Sequence, residues 1–179
     1  MVHDPDLLEK LSNLEVTHFN GEVFRATRKN LDPLAASSNG GRWMPRNEMN
    51  VLYTSLVEDG AMAELAYHWG MLVPRPSKPA ILSRIKADLP QSIRILRTDF
   101  ETLGISEHEY QQMNYEKMQK IGHASAFLEV HGLMVPSARW DCDNLIIFTD
   151  NIMHLEPLEL ISEKEVDWIR WGEENNVFD

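Results

Sequence analysis

Cysteine is almost absent from this sequence of 179 residues, in which Cys142 is the only one. A single cysteine excludes an internal disulfide framework. The first residues, Met1-Val-His-Asp-Pro, also lack the basic and apolar regions of a secretory signal peptide. These absences together predict a protein of the reducing cytoplasm.

Long apolar runs and positive charge are scarce as well. The longest clean apolar run covers residues 145–148, far below the roughly 18 residues of a membrane-spanning helix, so we expect no membrane association. There are 17 Lys and Arg against 28 Asp and Glu, a formal charge of -11. Such a molecule repels nucleic acid and anionic membranes, and any anionic ligand therefore needs a local pocket.

The remaining composition, 43% apolar and 25% charged residues, is that of an ordinary globular protein. The length favours one domain over residues 1–179. Short strands alternate with helices without regular βαβ units, which predicts a single α+β domain with a central sheet flanked by helices. We predict helices over residues 5–15, 61–69, 106–131 and 163–175, and strands over residues 22–27, 50–56, 80–86, 92–98, 133–135, 145–149 and 158–162.

Local signals support several of these boundaries. Asp59 is a candidate N-cap for the second helix, which Gly70 ends. Ser106 and Glu109 form a capping box, and the helical pattern that follows is interrupted at Gly122, which predicts two helices or one bent helix. The strands over residues 80–86 and 92–98 are expected to pair with each other.

Between residues 28 and 42 the sequence predicts a long loop that contains Gly40 and Gly41. Loops of this length inside a compact domain are usually functional or disordered. Residues 25–46 hold five basic residues and one acid, a formal charge of +4. A glycine-rich loop with arginines can bind phosphate groups, although a solvated basic loop is the more common meaning of such a stretch. Neither the GxGxxG nor the P-loop pattern occurs.

Glu64 and His68 lie four residues apart on the second predicted helix, where they could do proton chemistry. However, Met62, Leu65 and Ala66 belong to the apolar stripe of that helix, and periodicity places Glu64 on the opposite face, toward solvent. The default interpretation is therefore a surface carboxylate.

Other candidates also have ordinary structural interpretations. Tyr53 fits a half-buried packing position on its strand, and Ser137 follows Pro136 in a turn, where a hydroxyl often bonds nearby backbone. No Cys or His cluster has the spacing of metal ligands, so we assign no metal. Cys142 lies between two aspartates, which disfavours a thiolate nucleophile, and we expect it to be inert.

Six short motifs, in order along residues 22–150, resemble the RES-domain family, the toxin half of bacterial RES-Xre toxin–antitoxin systems. They are Val23-Phe-Arg-Ala, Gly40-Gly-Arg-Trp, Val51-Leu-Tyr-Thr-Ser, Ala63-Glu-Leu, Gly132-Leu-Met-Val-Pro-Ser-Ala-Arg and Asn144-Leu-Ile-Ile-Phe. The sequence departs from the family at Met44, where Asn is usual, and at Asn47, near a position that Gly often holds.

The resemblance implies a domain similar to the ADP-ribosyltransferases that binds NAD as a substrate and breaks its nicotinamide–ribose bond. It implies Arg25, Glu64 and Ser137 as the residues for which the family is named, with Arg42 and Tyr53 as further site residues. A carboxylate such as Glu64 stabilises the positive charge that develops on the ribose. Arginines neutralise the pyrophosphate. From the resemblance we expect Arg25, Glu64, Ser137 and Tyr53 to act in catalysis. We expect Arg42, Arg25 and Tyr53 to contact NAD.

The acceptor of ADP-ribose stays open between water, phosphate and a protein side chain. The expected activity is accordingly that of an NAD glycohydrolase or phosphorylase, or of an ADP-ribosyltransferase that modifies a host protein. A non-catalytic interaction module of the same fold is the alternative from another class. The resemblance also implies a cognate Xre-type antitoxin with a helix-turn-helix domain, with which the chain would assemble, while the chain itself would not bind nucleic acid.

Overall fold

Six strands carry the fold in the computed structural model, which describes residues 3–178. The strands are β1 (Val16–Arg28), β2 (Val51–Ser55), β3 (Ala80–Arg94), β4 (Gly132–Pro136), β5 (Asp143–Phe148) and β6 (Leu158–Val166). The helices are α1 (Pro5–Ser12), α2 (Glu58–Gly70), α3 (Glu107–Gln111), α4 (Glu116–Phe127) and α5 (Trp168–Glu174), with short 3₁₀ turns at Arg97–Asp99 and Thr149–Ile152. This mixture confirms the predicted α+β class.

The strands form one sheet in the order β1-β2-β5-β4-β3-β6, and β1 also pairs with β3. The first five strands therefore close into a ring, with β6 added outside it on β3. All pairs are antiparallel except β3 with β4, which run parallel over Ser92, Ile93 and Arg94. The ring opens between β1 and β2, which meet only at Phe24 and Ser55.

Side chains of β5 alternate between two layers of the core. Leu145 and Ile147 pack with Val23 of β1 and with Ile85 and Leu89 of β3. Ile146 and Phe148 point the other way, into the layer that α1, α3 and α4 cover with residues including Leu11, Tyr110 and Ile121. This alternation is the period of two that a strand buried on both faces requires. A third cluster joins α2 to α5 and to the start of β3 through Ala61, Met62, Leu65, Ala66, Leu82 and Trp168.

The two strands predicted over residues 80–86 and 92–98 are one strand, so the prediction that they pair with each other is wrong. Both halves of β3 pair with β1. On its other edge β3 pairs with β6 as far as Ala87 and with β4 from Ser92. Pro90 lies between those two partners, where its missing N–H removes no hydrogen bond from either ladder. The proline therefore interrupts the pattern without ending the strand.

The segment predicted as helical over residues 106–131 forms two helices, as one of the two alternatives had it. Ser106 and Glu109 make the predicted capping box. The break falls at residues 112–115, however, and Gly122 lies inside α4. The second helix ends at Phe127, and Gly132 opens β4, so the predicted end at His131 is wrong. Glu129, with a φ of 60°, makes the turn out of the helix.

Other boundaries shift by a few residues. The N-terminal helix ends at Ser12 and not at residue 15, and β1 extends on both sides of the predicted residues 22–27. Asp59 is not the N-cap of α2, because the helix begins at Glu58 after Val57; both acids lie in its first turn, where the helix dipole favours negative charge. The final helix begins at Trp168, since residues 163–166 complete β6.

The predicted loop is confirmed and extends further than expected, because residues 29–50 contain neither a helix nor a named strand. A bridge between Ser37 and Val51 returns it to the start of β2. Asn47 has a φ of 63°, a conformation that glycine adopts most easily and that asparagine tolerates. Among residues 3–178, no helix is long and apolar enough to cross a membrane.

Candidate active site

A cleft of about 750 Å³ opens between the long loop, the end of β1, β2 and α2. This volume falls within the range of roughly 300–1,000 Å³ that is usual for small-molecule sites. Its floor comes from β2 and β5, and its walls come from the loop and from one face of α2. Residues that line it include Arg25, Arg42, Trp43, Tyr53, Glu64, His68, Trp69, Tyr115 and Asn144.

Glu64 reaches this cleft from α2, with 31% of its side chain exposed. Its Oε1 atom accepts two hydrogen bonds, from Ser137 Oγ at 3.1 Å and from Asn144 Nδ2 at 3.0 Å. Its Oε2 atom lies 3.9 Å from Nε2 of His68. The helical period therefore assigned Glu64 to the correct face, but the interpretation as an ordinary surface carboxylate is wrong, because that face borders the cleft.

Ser137 contacts Glu64 from behind the cleft wall and is only 1% exposed. Its hydroxyl oxygen also accepts the backbone N–H groups of Arg139 and Trp140, at 3.1 and 3.3 Å. Ser137 thus stabilises the turn between β4 and β5, as the ordinary interpretation has it, and its hydroxyl group also donates a hydrogen bond to the Glu64 carboxylate. In this structure it positions Glu64 and is not among the residues that line the cleft.

Arg25 donates hydrogen bonds to the backbone of the long loop. Its Nη1 group donates to the carbonyl oxygens of Pro33 and Ala35, at 2.6 and 2.8 Å. Burial lowers the pKa of Arg25, and the charge of Asp32 partly offsets that effect. The guanidinium thereby joins the end of β1 to the first part of the loop while it also faces the cleft.

Arg42 lies between two tyrosine rings, with its guanidinium carbon 5.0 Å from the ring centre of Tyr110 and 4.6 Å from that of Tyr115. Its Nη1 group donates to the carbonyl oxygen of Tyr110 at 2.5 Å and to that of Gln112 at 3.4 Å. A guanidinium has five N–H donors, and the Nε and Nη2 groups of Arg42 make no hydrogen bond to the residues that the structure describes. Arg42 is accordingly held by its neighbours and keeps donors for an anion.

Tyr53 fixes the glycine-rich part of the loop. Its hydroxyl oxygen accepts the backbone N–H of Trp43 at 3.2 Å, and burial raises its pKa. A Cβ atom on Gly41 would lie 2.7 Å from the Tyr53 ring, so only glycine allows the loop to approach this closely. Gly40, with a φ of +76°, supplies the turn conformation that other residues rarely adopt.

The five basic residues between positions 25 and 46 divide between the cleft and the surface. Arg25, Arg28 and Arg42 line the cleft. Lys29 instead forms an exposed ion pair with Glu165 at 2.5 Å, and Arg46 is exposed. Three of the five basic side chains thus face the site, so its local charge is smaller than the sequence window suggested.

Sequence reasoning did not single out Asn144 as a site residue, although it belongs to one of the quoted motifs. Trp43, Tyr115 and Trp69 were also not identified as lining residues. An asparagine that opens an otherwise apolar run, Leu145-Ile-Ile-Phe, was the available signal. No sequence signal identified Tyr115, because its place in the cleft depends on the break between α3 and α4.

Within residues 3–178, no group of three His, Cys, Asp or Glu side chains is placed to hold a metal ion. Cys142 immediately precedes β5, with its Sγ 3.4 Å from Ser55 Oγ. Burial raises the pKa of the thiol, and the hydrogen bond from Ser55 offsets part of that rise.

We expect Cys142 to react slowly with iodoacetamide at pH 8, because a raised thiol pKa leaves less thiolate at that pH and the thiolate is the nucleophile. The unfolded chain in denaturant is the control, and its thiol should react faster at the same pH. The difference between the rates of the folded and the unfolded protein should decrease as the pH increases. Mass spectrometry of the alkylated protein over time measures both rates, and equal rates at pH 8 would contradict the assignment.

The protein is thus a mixed α+β domain in which a ring of strands opens onto a cleft. The cleft contains a glutamate held by hydrogen bonds and several arginines. The family model of the RES domain matches residues 21–168, and the chain belongs to that family. The resemblance inferred from the six motifs is therefore confirmed.

The fold is also that of a chain in the crystal structure of the M. tuberculosis MbcT-MbcA toxin-antitoxin complex. The TM-score is 0.82, with 19% sequence identity over 95% of this chain and 97% of that chain. No curated protein matches the sequence. At this identity the structural likeness establishes the fold.

Proposed function

We propose that this protein is a toxin enzyme that cleaves the nicotinamide–ribose bond of NAD and transfers ADP-ribose to water or phosphate. The observation that carries the proposal is Glu64, which is fixed by Ser137 and Asn144 through one oxygen and faces the cleft. Loss of neutral nicotinamide leaves an oxocarbenium-like ribose, and a fixed carboxylate beside that carbon stabilises the developing charge.

The rest of the cleft suits the other parts of NAD. Arg42 offers N–H groups to the pyrophosphate, and its stacking between Tyr110 and Tyr115 holds the guanidinium in place. Within residues 3–178 it has no carboxylate partner. Trp69 and Tyr115, which are partly exposed in the cleft, supply flat apolar surfaces against which a base can pack. The local arginines provide the anion site that a chain of charge -11 needs.

His68 is suited to assist the acceptor. Its Nε2 atom lies 3.9 Å from Glu64 Oε2 on the cleft side of α2. Burial lowers the pKa of His68, an effect that Glu64 opposes and that Arg139 and Arg42 reinforce. A neutral imidazole there can accept a proton from water or from phosphate as it attacks the ribose carbon.

The test is incubation of the purified protein with NAD, with and without inorganic phosphate, followed by mass spectrometry of the products. Free nicotinamide with ADP-ribose indicates hydrolysis, and a phosphorylated ADP-ribose indicates phosphorolysis. Label that moves from NAD to polypeptide would assign the protein as an ADP-ribosyltransferase of a host protein. Absence of nicotinamide release with every acceptor would favour a non-catalytic interaction module and reject the proposal.

Replacing Arg42 by Ala should weaken NAD binding about 10- to 100-fold, because charge-assisted hydrogen bonds to phosphate contribute roughly 1.5–3 kcal/mol. An adenosine compound without phosphates should bind both proteins equally poorly. Calorimetry measures the affinities. Arg46→Ala is the matched control, since it removes the same charge from the same loop at an exposed position outside the cleft. Equal NAD affinities in Arg42→Ala and the unaltered protein would move the phosphate site elsewhere.

An enzyme that depletes NAD harms its own cell unless it is restrained, and an Xre-type antitoxin with a helix-turn-helix domain is the partner we propose. A chain of charge -11 lacks the phosphate contacts on which non-specific DNA binding depends. We therefore expect the isolated protein not to retard DNA at low salt, and its complex with the antitoxin to do so. Retardation by the isolated protein in a gel-shift experiment would contradict this division of roles.

A further inference from the structure

Asn144 occupies the first part of β5, opposite Ser55 of β2 and Val135 of β4. It lies in the middle of the sheet, at the floor of the cleft. The residues that follow it on β5, Leu145 to Phe148, are apolar and buried. Asp143, the other polar residue of β5, has its own partner in Arg94, at 2.7 Å.

The orientation of the Asn144 amide follows from its partner. A carboxylate only accepts hydrogen bonds, so the Nδ2 group must point to Glu64 Oε1, at 3.0 Å. The Oδ1 atom then lies buried, without a hydrogen-bond partner among the described residues. Burial of an acceptor without a partner is unfavourable for folding. The fold alone thus gives no reason for asparagine here, whereas Glu64 does.

The two carboxylate oxygens of Glu64 are consequently unequal. Oε1 receives both hydrogen bonds, from Ser137 and Asn144. Oε2 lies 3.9 Å from His68 Nε2, beyond hydrogen-bond distance. Two donors from different strand ends fix the rotation of the carboxylate, which a single donor would leave variable.

We propose that Asn144 is a positioning residue that, together with Ser137, fixes Oε1 of Glu64 so that Oε2 is the oxygen presented to the ribose of the substrate. This assignment rests on the NAD-cleaving function proposed above. Asn144 itself need not touch the substrate; it acts through the carboxylate. Among the described residues, the other titratable or charged groups near Glu64 or His68 include Tyr67, Tyr110, Tyr115, Cys142, Arg42 and Arg139.

The first test is Asn144→Leu, which keeps the branched shape and removes both polar groups. We expect kcat for NAD to fall about 10- to 100-fold, since small misplacements of a reacting group have effects of this size. KM should change less than about threefold, because ground-state binding is untouched. The unfolding temperature should stay the same or increase, as the buried oxygen without a partner is gone. An unchanged kcat in this variant would overturn the proposal.

The second variant, Asn144→Asp, keeps the shape and places a second carboxyl group about 3 Å from Glu64. Two carboxylates this close cannot both ionise readily, so one retains its proton to a higher pH. The acid limb of the kcat profile should move up by about one pH unit or more, and activity lost at neutral pH should return in part at higher pH. Asn20→Asp, which adds the same charge at an exposed position on β1, should leave the limb in place. An acid limb that stays in place in Asn144→Asp would also overturn the proposal.

A readout without substrate separates this proposal from the NAD assignment. In protein with ¹³C-labelled glutamate carboxyl groups, the signal absent from Glu64→Gln identifies Glu64. The midpoint of its titration should move to higher pH in Asn144→Asp and not in Asn20→Asp. If the unaltered protein fails to cleave NAD but this shift occurs, the proposed function fails and the contact between the two side chains stands. If the protein cleaves NAD and neither the midpoint nor kcat changes in the Asn144 variants, the positioning role fails alone.

Discussion

Glu64→Gln should lower NAD turnover by about 100-fold or more while NAD still binds. The substitution keeps the size of the side chain and an oxygen that can accept from Ser137 and Asn144. It removes the negative charge and replaces the second oxygen by an amide NH2 group, which donates hydrogen bonds. Loss of one electrostatic contribution to the transition state typically has an effect of this size. Quenched-flow or steady-state release of nicotinamide measures the rate, and calorimetry measures the affinity.

A matched control for this variant lies on the same helix. Glu58 forms an exposed ion pair with Lys164 at 2.6 Å, and Glu58→Gln removes the same charge from the first turn of α2. Turnover by Glu58→Gln should equal that of the unaltered protein. Near-normal turnover by Glu64→Gln would show that the carboxylate is not required, and the proposed chemistry would then be rejected.

Gly122→Ala should destabilise the fold by about 3 kcal/mol, the upper part of the range for overpacked sites. A Cβ atom at residue 122 would lie 1.7 Å from the carbonyl oxygen of Trp43. That atom belongs to backbone, so α4 and the loop would have to separate. Helix propensity alone predicts the opposite sign, since Ala favours a helix over Gly by about 1 kcal/mol.

Thermal unfolding measures this effect, with an expected decrease of roughly 6–12 °C for a chain of this size. Lys120→Ala, at an exposed position of the same helix, should change stability by less than about 0.5 kcal/mol. Trp43 lines the cleft, so NAD affinity should fall together with stability in Gly122→Ala. If Gly122→Ala were instead more stable than the unaltered protein, the close contact between α4 and the Trp43 backbone would be contradicted.

The structure gives Arg25 a role in holding the loop that the sequence did not predict. From sequence, Arg25→Ala is expected to abolish turnover while the fold stays intact. The hydrogen bonds from Arg25 to the carbonyl oxygens of Pro33 and Ala35 hold the loop, so loss of activity in that variant would combine a displaced loop with any lost ligand contact. Arg25 is therefore a poorer probe of chemistry than Glu64.

The break between α3 and α4 illustrates why some boundaries could not be predicted. The helical pattern continues through residues 112–115 in sequence. Arg42, about 70 residues away in the chain, donates to the carbonyl oxygens of Tyr110 and Gln112, which a continuous helix would use for its own hydrogen bonds. The guanidinium of Arg42 thus replaces the helical N–H partners of these two carbonyl oxygens. A residue so distant in the chain leaves no signal in the local sequence pattern.

The sequence by itself determined the family, the α+β class, the loop and the identities of Arg25, Arg42, Tyr53, Glu64 and Ser137 as candidates, because short motifs and local hydrophobic periods are properties of neighbouring residues. Only the tertiary structure decided what Glu64 contacts. Ser137 and Asn144 lie 73 and 80 residues from it in sequence, and they meet it because the pairing of β2, β5 and β4 brings both beneath α2. Strand register over long sequence separations depends on the whole core. It therefore places Glu64, which local periodicity assigns to the surface, at the centre of the candidate site.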